Sequence, residues 1–529
     1  MKMSLKRTQA VAGIYGAVQG MASCPKESGL NPNQTMKSIL GGFGVFLALL
    51  CGHSSAANHL SSQPPNFIFI NIDDLGYADI GPFGSKLNRT PNLDRMAQEG
   101  RKLTCFYAAP VCSPSRASLM TGCYPKRVLP IPQVLWPGGA VGLNPEEQTV
   151  AELLKKAGYA TACIGKWHLG DQPEFLPTRQ GFDFYFGIPY SNDMGPAEDG
   201  ANTSLGEPIR PRKEINYLPN EKSEVGFKGN PQPPLPLLEN EKVIARVRAG
   251  EQATLVKRYT EKATQFIRAH KDMPFFLYLA HTAVHFPFYP GKAFQGTSHN
   301  GNYGDWVEEM DWSVGEIMNT VRELNLNRNT LVIFTSDNGG GAGVAANTPL
   351  RGFKNSTWEG GVRVPTIAWW PGKIPAGTAS DEIAGMFDIL PTFVKLGGGT
   401  LPADRKLDGC DIWPLLSGQA NAKSPHDVFY FYRGLQLEAV RSGPWKLHLG
   451  HGELYNLDAD IGESKDVAVS NPDLVKRLKA LAESTKDDLG LDGIGPGCRS
   501  LGRVTNPQPL ISKDGTVRDG FAGSKKMLP

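Results

Sequence analysis

Hydrophobic positions along this chain follow two alternating rhythms. Short unbroken apolar runs occur at 67–72 (F-I-F-I-N-I), 159–164 (Y-A-T-A-C-I), 275–280 (F-F-L-Y-L-A) and 331–335 (L-V-I-F-T). They have no polar face, as expected of strands covered on both sides in a parallel sheet. Between them the apolar positions recur every three or four residues. Leu255, Tyr259, Phe266 and Ile267 share one face of 253–270, and Val307, Met310, Val314, Ile317, Val321 and Leu324 share one face of the segment that follows. Both predict helices packed on the sheet. Segments 92–100 and 148–158 also read as helices, the second closed by Gly158. This alternation predicts a layered α/β domain over 58–400, with a mostly parallel central sheet flanked by helices. The Pro- and Gly-rich stretch 192–248 reads as a surface excursion of the kind that borders active sites. Beyond 400 the texture changes. V-F-Y-F-Y, L-E-A-V-R, W-K-L-H-L and E-L-Y-N-L predict a small antiparallel sheet, with a helix at 472–483, as a subdomain over 401–490. The polar, Gly-rich 491–529 predicts an extended tail.

The N-terminus changes the picture of compartment. An apolar run at 39–51, preceded by Lys37 and followed by S-S-A-A, is too short for a membrane span and predicts a signal-peptide region over 1–57. Cleavage is expected after Ala57 and translation from Met36. The mature protein is therefore expected in an exported, oxidising compartment, periplasmic, extracellular or equivalent, with no stable membrane span. Of eight cysteines, Cys24 and Cys51 would leave with the signal. Cys105, Cys112, Cys123, Cys163, Cys410 and Cys498 would remain, without C-x-x-C pairing. Cys410 with Cys498 is the expected bridge. Net charge is +3, from 55 basic and 52 acidic residues, so no global field exists to hold nucleic acid. An anionic substrate must instead be gripped by a few placed cations.

Two strand ends finish in oxygen ligands: Ile72 leads into Asp73 and Asp74, and Ser336 into Asp337 and Asn338. Ligand sites in open α/β sheets gather at the carboxyl ends of strands. Three carboxylates and an amide oxygen form a hard-oxygen set suited to calcium or magnesium. One acidic pair alone is as readily a loop or a helix cap; two such clusters in one chain favour a metal.

The segment C-S-P-S-R-A-S-L-M-T-G at 112–122 resembles the signature of the type I sulfatases. Further blocks are similar to the arylsulfatases of that family: K-W-H-L-G at 166–170, F-L-P, Q-G-F and G-I-P-Y-S, and L-R-G-F-K-N-S-T-W-E-G-G-V-R-V-P at 350–365. The resemblance extends over roughly residues 65–490. It implies an alkaline-phosphatase-like α/β fold with a small four-stranded C-terminal sheet. It also implies that a formylglycine-generating maturation enzyme oxidises Cys112 to formylglycine, whose aldehyde hydrates to a geminal diol. A serine attacking a sulfate ester would be left as a slowly hydrolysed serine sulfate. A diol can attack through one hydroxyl and expel sulfate by collapsing to aldehyde through the other.

Carried over by position, the resemblance implies one Ca2+ held by Asp73, Asp74, modified Cys112, Asp337 and Asn338. Asp337 would also help deprotonate the attacking hydroxyl, and Arg116 would hold the diol. Lys166 and Lys354 would grip sulfate oxygens, His168 would act as base in the elimination, and His285 would protonate the departing oxygen. Ser191 matches a sulfate-contacting serine. His281 lies off the acid position, and Trp167 and Tyr190 read as packing. Ala283 and Val284 stand where the resembled arylsulfatases carry polar residues beside the leaving group. The implied activity is hydrolysis of sulfate monoesters of aryl or carbohydrate compounds. Two rivals differ in testable ways. A phosphomonoesterase or phosphonate hydrolase on the same fold would use Ser or Thr and two zinc ions. An inactive secreted calcium-binding homologue would have lost catalytic positions, and all are filled here.

Overall fold

In strand β1 (Asn66–Ile72) every residue is buried. Phe67 and Phe69 belong to one core, while Ile68, Ile70 and Ile72 belong to the other. The unbroken apolar run therefore serves two faces with a period of two. The computed structural model describes residues 63–209, 224–226 and 232–523. The expected signal segment, Met36, Ala57, Cys24 and Cys51 lie outside the described residues.

The other main strands of the central sheet are β2 (Arg101–Tyr107), β3 (Ala160–Gly165), β4 (Phe184–Gly187), β5 (Pro236–Glu239), β6 (Lys242–Arg246), β7 (Phe275–Ala280), β8 (Thr330–Ser336) and β9 (Arg363–Trp369). Their spatial order is β2–β9–β8–β1–β7–β3–β4–β5–β6, with the short strands Thr378–Ser380 and Ala384–Gly385 both paired to β2 outside it. From β8 to β4 every pairing is parallel. The flanks are not: β9 runs antiparallel to both β8 and β2, and β5 and β6 form an antiparallel extension. The sheet is thus mixed, with a parallel centre. The excursion 192–248 is not all loop, because it supplies β5 and β6; Pro236 is tolerated as the first residue of a strand.

Helices α2 (Cys112–Thr121), α3 (Val150–Lys156) and α6 (Ile389–Leu396) contribute to the core with Phe67. Helices α1 (Pro91–Glu99), α4 (Leu255–Ala269) and α5 (Gly301–Glu323) contribute to the core with Ile68. The C-terminal strands β10 (Phe429–Arg433), β11 (Gln436–Ser442), β12 (Trp445–His448) and β13 (Leu454–Asn456) form the expected four-stranded antiparallel sheet. Leu478 and Ala482 of α7 (Pro472–Glu483) pack in its core with Ala439 and Val440. Residues 491–523 are irregular, with turns, and anchored: Gly502–Arg503 pairs with Val141–Gly142. Cys498 is a free, half-buried thiol whose Sγ faces Leu489 O at 3.6 Å, so the expected Cys410–Cys498 bridge is not made. No helix among the described residues is long and apolar enough to cross a membrane.

Candidate active site

The site begins with register. β1 and β8 are parallel neighbours, and Ile72 is the partner of Ser336. Asp73–Asp74 and Asp337–Asn338 therefore leave the sheet side by side. Ser336 clamps the two turns: its Oγ lies 3.2 Å from Ile72 O and 2.8 Å from Asn338 O, and it accepts the Leu75 N–H at 3.0 Å. Asp74 turns back with φ 61°. Sequence reasoning passed over Ser336, whose only signal is a hydroxyl at the end of a buried strand.

Helix α2 delivers the next residues. Cys112 is its first residue and Arg116 lies one turn on, so the four-residue spacing puts both on one face. Pro114 costs little there, because the first turn has no intrahelical acceptor for its missing N–H. Cys112 Sγ donates to Asp73 Oδ1 at 3.3 Å. Arg116 forks onto Asp337 Oδ2 through Nε at 2.9 Å and a terminal nitrogen at 2.8 Å, and lies 3.4 Å from Asp73 Oδ2.

Lys166 follows Gly165 at the end of β3. Gly165 has φ 115°, and a Cβ there would sit 1.8 Å from Ala280 O, so only glycine permits this approach. Lys166 Nζ meets Asp73 Oδ2 at 2.5 Å and donates to Ser191 Oγ at 3.0 Å. Lys354 Nζ meets Asp74 Oδ1 at 2.7 Å, and His285 Nε2 lies 3.6 Å from Asp74 Oδ2. Asn338 Nδ2 donates to Asp74 Oδ1 at 2.7 Å. Ligand atoms of Asp73, Asp74, Cys112 and His285 all lie within 4.8 Å of one another. The structure thus gathers the expected residues around two carboxylates, Ser191 joining through Lys166. His168 is tied in through Leu135, whose carbonyl accepts its Nε2–H at 2.9 Å while its N–H donates to Ser113 Oγ. Sequence reasoning also missed Leu135 and Asn192; the latter donates to the backbone oxygen of His285 at 3.3 Å.

Charge balance sets the protonation states. Burial raises the Asp73 carboxyl, but Lys166, His285, Arg116 and Lys354 outweigh it and hold Asp73 well below the usual carboxylate range. Asp337 is raised by burial and by the charge of Asp73. Burial, reinforced by Asp73, pushes the Cys112 thiol well above its ordinary value, so it is not a ready thiolate. Burial and the nearby charges of Lys166 and Arg116 hold His168 neutral. With its hydrogen on Nε2 facing Leu135, His168 keeps Nδ1 as a buried acceptor with no partner among the described residues.

The residues left apart are equally clear. His281 Nε2 lies 3.0 Å from Ser313 Oγ, and burial lowers its pKa to about 3. Trp167 Nε1 donates to Phe175 O and the Tyr190 hydroxyl to Pro234 O, both as buried packing residues.

Comparison with known proteins follows the same lines. The Sulfatase family profile matches residues 65–399. The chain is 38% identical over 426 residues to the N-acetylgalactosamine-6-sulfatase of Canis lupus familiaris, covering 77% of this chain and 75% of that one. It is 38% identical over 474 residues to arylsulfatase A of Homo sapiens, covering 80% and 88%. The crystal structure of Ps i-CgsB in complex with k-i-k-neocarrahexaose superposes with a TM-score of 0.67 at 31% identity, over 80% of this chain and 92% of that one. Family profile, relatives and fold agree that this chain belongs to the sulfatase family and is a hydrolase of sulfate esters.

Proposed function

We propose that this sulfatase cleaves sulfate monoesters of carbohydrates, using formylglycine made from Cys112 and one Ca2+, after export from the cell. The observation that carries the reading is Cys112 at the start of a buried helix, with its Sγ grouped with the ligand atoms of Asp73, Asp74 and His285. A buried thiol with a raised pKa is a poor nucleophile, which favours a matured side chain over free cysteine. The relative named N-acetylgalactosamine-6-sulfatase and the neighbour solved in complex with k-i-k-neocarrahexaose support the carbohydrate class.

The donor set fits calcium. Asp73, Asp74, Asp337 and Asn338 offer hard oxygens, and the buried Asn338 Oδ1 has no hydrogen-bond partner among the described residues. These residues would hold the ion with the oxidised side chain at position 112. Three carboxylates (Asp73, Asp74, Asp337) and three cations (Arg116, Lys166, Lys354) sum to zero, so a divalent ion leaves surplus positive charge for a sulfate ester. When bound, calcium and formylglycine supply charge neutralisation at sulfate oxygens and a nucleophile that releases sulfate by returning to aldehyde.

The chain's own residues do the rest. Lys166 and Lys354 hold sulfate oxygens as fixed cations that need no reorganisation as charge develops. Asp337, raised in pKa, is a proton acceptor beside position 112, and neutral His168 offers Nδ1 for the proton moved when sulfate leaves. The His285 Nδ1–H faces Phe286 O, so the proton given to the departing sugar oxygen is a second one, carried on Nε2 of the imidazolium, which returns to the neutral ring. In the Cys112→Ser variant, a chromogenic aryl sulfate should transfer one sulfo group to the protein, read by intact mass, and then stop. Sustained turnover by that variant would overturn the mechanism. Chelation should abolish wild-type turnover and calcium restore it; restoration by zinc alone, with phosphate esters preferred, would favour a phosphatase.

A further inference from the structure

We propose that the cleft beside this site binds the neutral, hydroxyl-rich sugar units flanking the sulfated one, and that Arg433, Gln436 and Trp136 set this preference for an extended glycan. The inference rests on the carbohydrate reading above and deepens it.

Two depressions, of about 490 Å³ and 400 Å³, share Asn355, Arg433 and Gln436 and so form one groove. Either part alone is of a size that holds a small organic ligand, well beyond what a sulfate group fills. Both begin at the catalytic backbone. Asn355 follows Lys354 and donates its N–H to Pro110 O, two residues before Cys112. Val134 and Trp136, which line the second depression, flank Leu135, the residue that holds His168. A leaving group attached to sulfate at Cys112 and Lys354 has this groove beside it.

The lining chooses the chemistry. Arg433 is exposed, yet its Nε donates to Glu438 Oε1 at 2.7 Å, so the pair carries both signs and no net charge. Glu438 Oε2 also accepts the Thr357 hydroxyl at 2.9 Å. Burial lowers the pKa of His448, which lines the same wall. Trp358 offers no free face: Arg351 lies 3.7 Å and the His448 ring 3.8 Å from its centre, distances that require opposite sides. Half-buried Trp136 forms part of the other wall. Interspersed donors and acceptors without surplus charge match sugar hydroxyls, each of which donates and accepts. A second sulfate would find no unpaired guanidinium at Arg433, and a wide apolar leaving group would leave the Arg433–Glu438 pair desolvated and unanswered.

The test uses the mature, full-length enzyme with three probe types. These are 4-nitrocatechol sulfate, monosaccharide sulfates of galactose, N-acetylgalactosamine and fucose, and tetrasaccharides carrying one such unit among unsulfated ones. At least one tetrasaccharide should exceed its own monosaccharide sulfate in kcat/KM by about tenfold or more, mainly through KM. Arg433→Ala and Trp136→Ala should each lower the ratio of tetrasaccharide to aryl sulfate kcat/KM by about tenfold. Gln436→Ala, at an exposed position, supplies the same reading should the tryptophan variant fail to fold. No gain with any tetrasaccharide, or a ratio that survives all three substitutions, overturns the proposal. Turnover of aryl sulfate with none of any saccharide would overturn the carbohydrate reading as well, whereas a wild-type enzyme inert toward aryl and saccharide sulfates alike would instead count against formylglycine chemistry.

Discussion

Lys166 in the active site and Lys446 at the base of the C-terminal sheet have fully buried side chains, and each faces carboxylates. They differ in what is left over. Lys446 Nζ has three acceptors for its three protons: Thr357 O at 2.8 Å, Glu359 Oε1 at 2.8 Å and Glu463 Oε1 at 3.1 Å. Glu359 is further bonded by the Tyr107 hydroxyl and by Arg363, and Glu463 by His448 and the Glu359 N–H. Among the described residues Lys166 has two acceptors, Asp73 and Ser191, and in the same site His168 Nδ1 and Asn338 Oδ1 are buried without partners. Buried charge that is fully answered ties two parts of a molecule together; buried charge left partly unanswered is a binding site. The junction is not idle, since it anchors both ends of the segment around Lys354: Arg351 reaches Glu463 O, and Glu359 follows directly after Trp358.

Lys166→Met should show the difference at its largest, lowering kcat by about 10²–10³-fold as a lost transition-state donor does. Thermal unfolding should change less than in the junction variant, because Asp73 keeps Arg116. Equal losses of stability in the two would break the comparison. Lys446→Met should cost about 3–5 kcal/mol in denaturant unfolding, since Glu359 and Glu463 lose their shared cation. Adding Glu359→Gln should recover part of that loss; a fully additive double variant would show that the two residues do not interact.

Another buried acid sharpens the point. Glu359 is driven up by burial, but Lys446, Arg363 and Arg441 bring it down to about 2. Glu309 of α5 has a single backbone donor, Gly291 at 2.7 Å, and burial pushes it up to about 7. A carboxyl with a raised folded pKa weakens the fold as pH climbs from its unfolded value, near 4.5, through the folded one. Glu309→Gln should therefore match the wild type near pH 4.5 and exceed it above pH 7 by up to about 3 kcal/mol, measured as unfolding free energy across pH. A constant difference would mean that the carboxyl is not titrating in that window. The smallest effect is expected from Ser336→Ala, about 1–3 kcal/mol of stability through the unsatisfied Leu75 N–H and the loosened turns. Its kcat should fall more than its KM rises.

The sequence made the sheet's centre and the ligand-bearing turns legible because β1 and β8 are covered on both faces, leaving unbroken apolar runs that stop at acids. It hid α2 for the opposite reason. All ten residues of that helix are buried, so S-P-S-R-A-S carries no amphipathic rhythm, and its chemistry showed only as a motif. β2 and β9 went unread because one mixes Arg and Lys into its start and the other begins inside the G-G-V-R-V-P block, with a proline at its third residue. Ser336, Leu135 and Asn192 act through hydroxyl, backbone or amide hydrogen bonds that no spacing announces. The Cys410–Cys498 expectation failed because separation along the chain says nothing of the distance between sulfurs.

The most direct measurement of the central claim is mass spectrometry of the peptide spanning Cys112, from enzyme shown to be active, with and without a carbonyl-reactive hydrazide. The account predicts that the thiol is replaced by an aldehyde that the hydrazide captures. An intact, alkylatable thiol at Cys112 in fully active enzyme would contradict it.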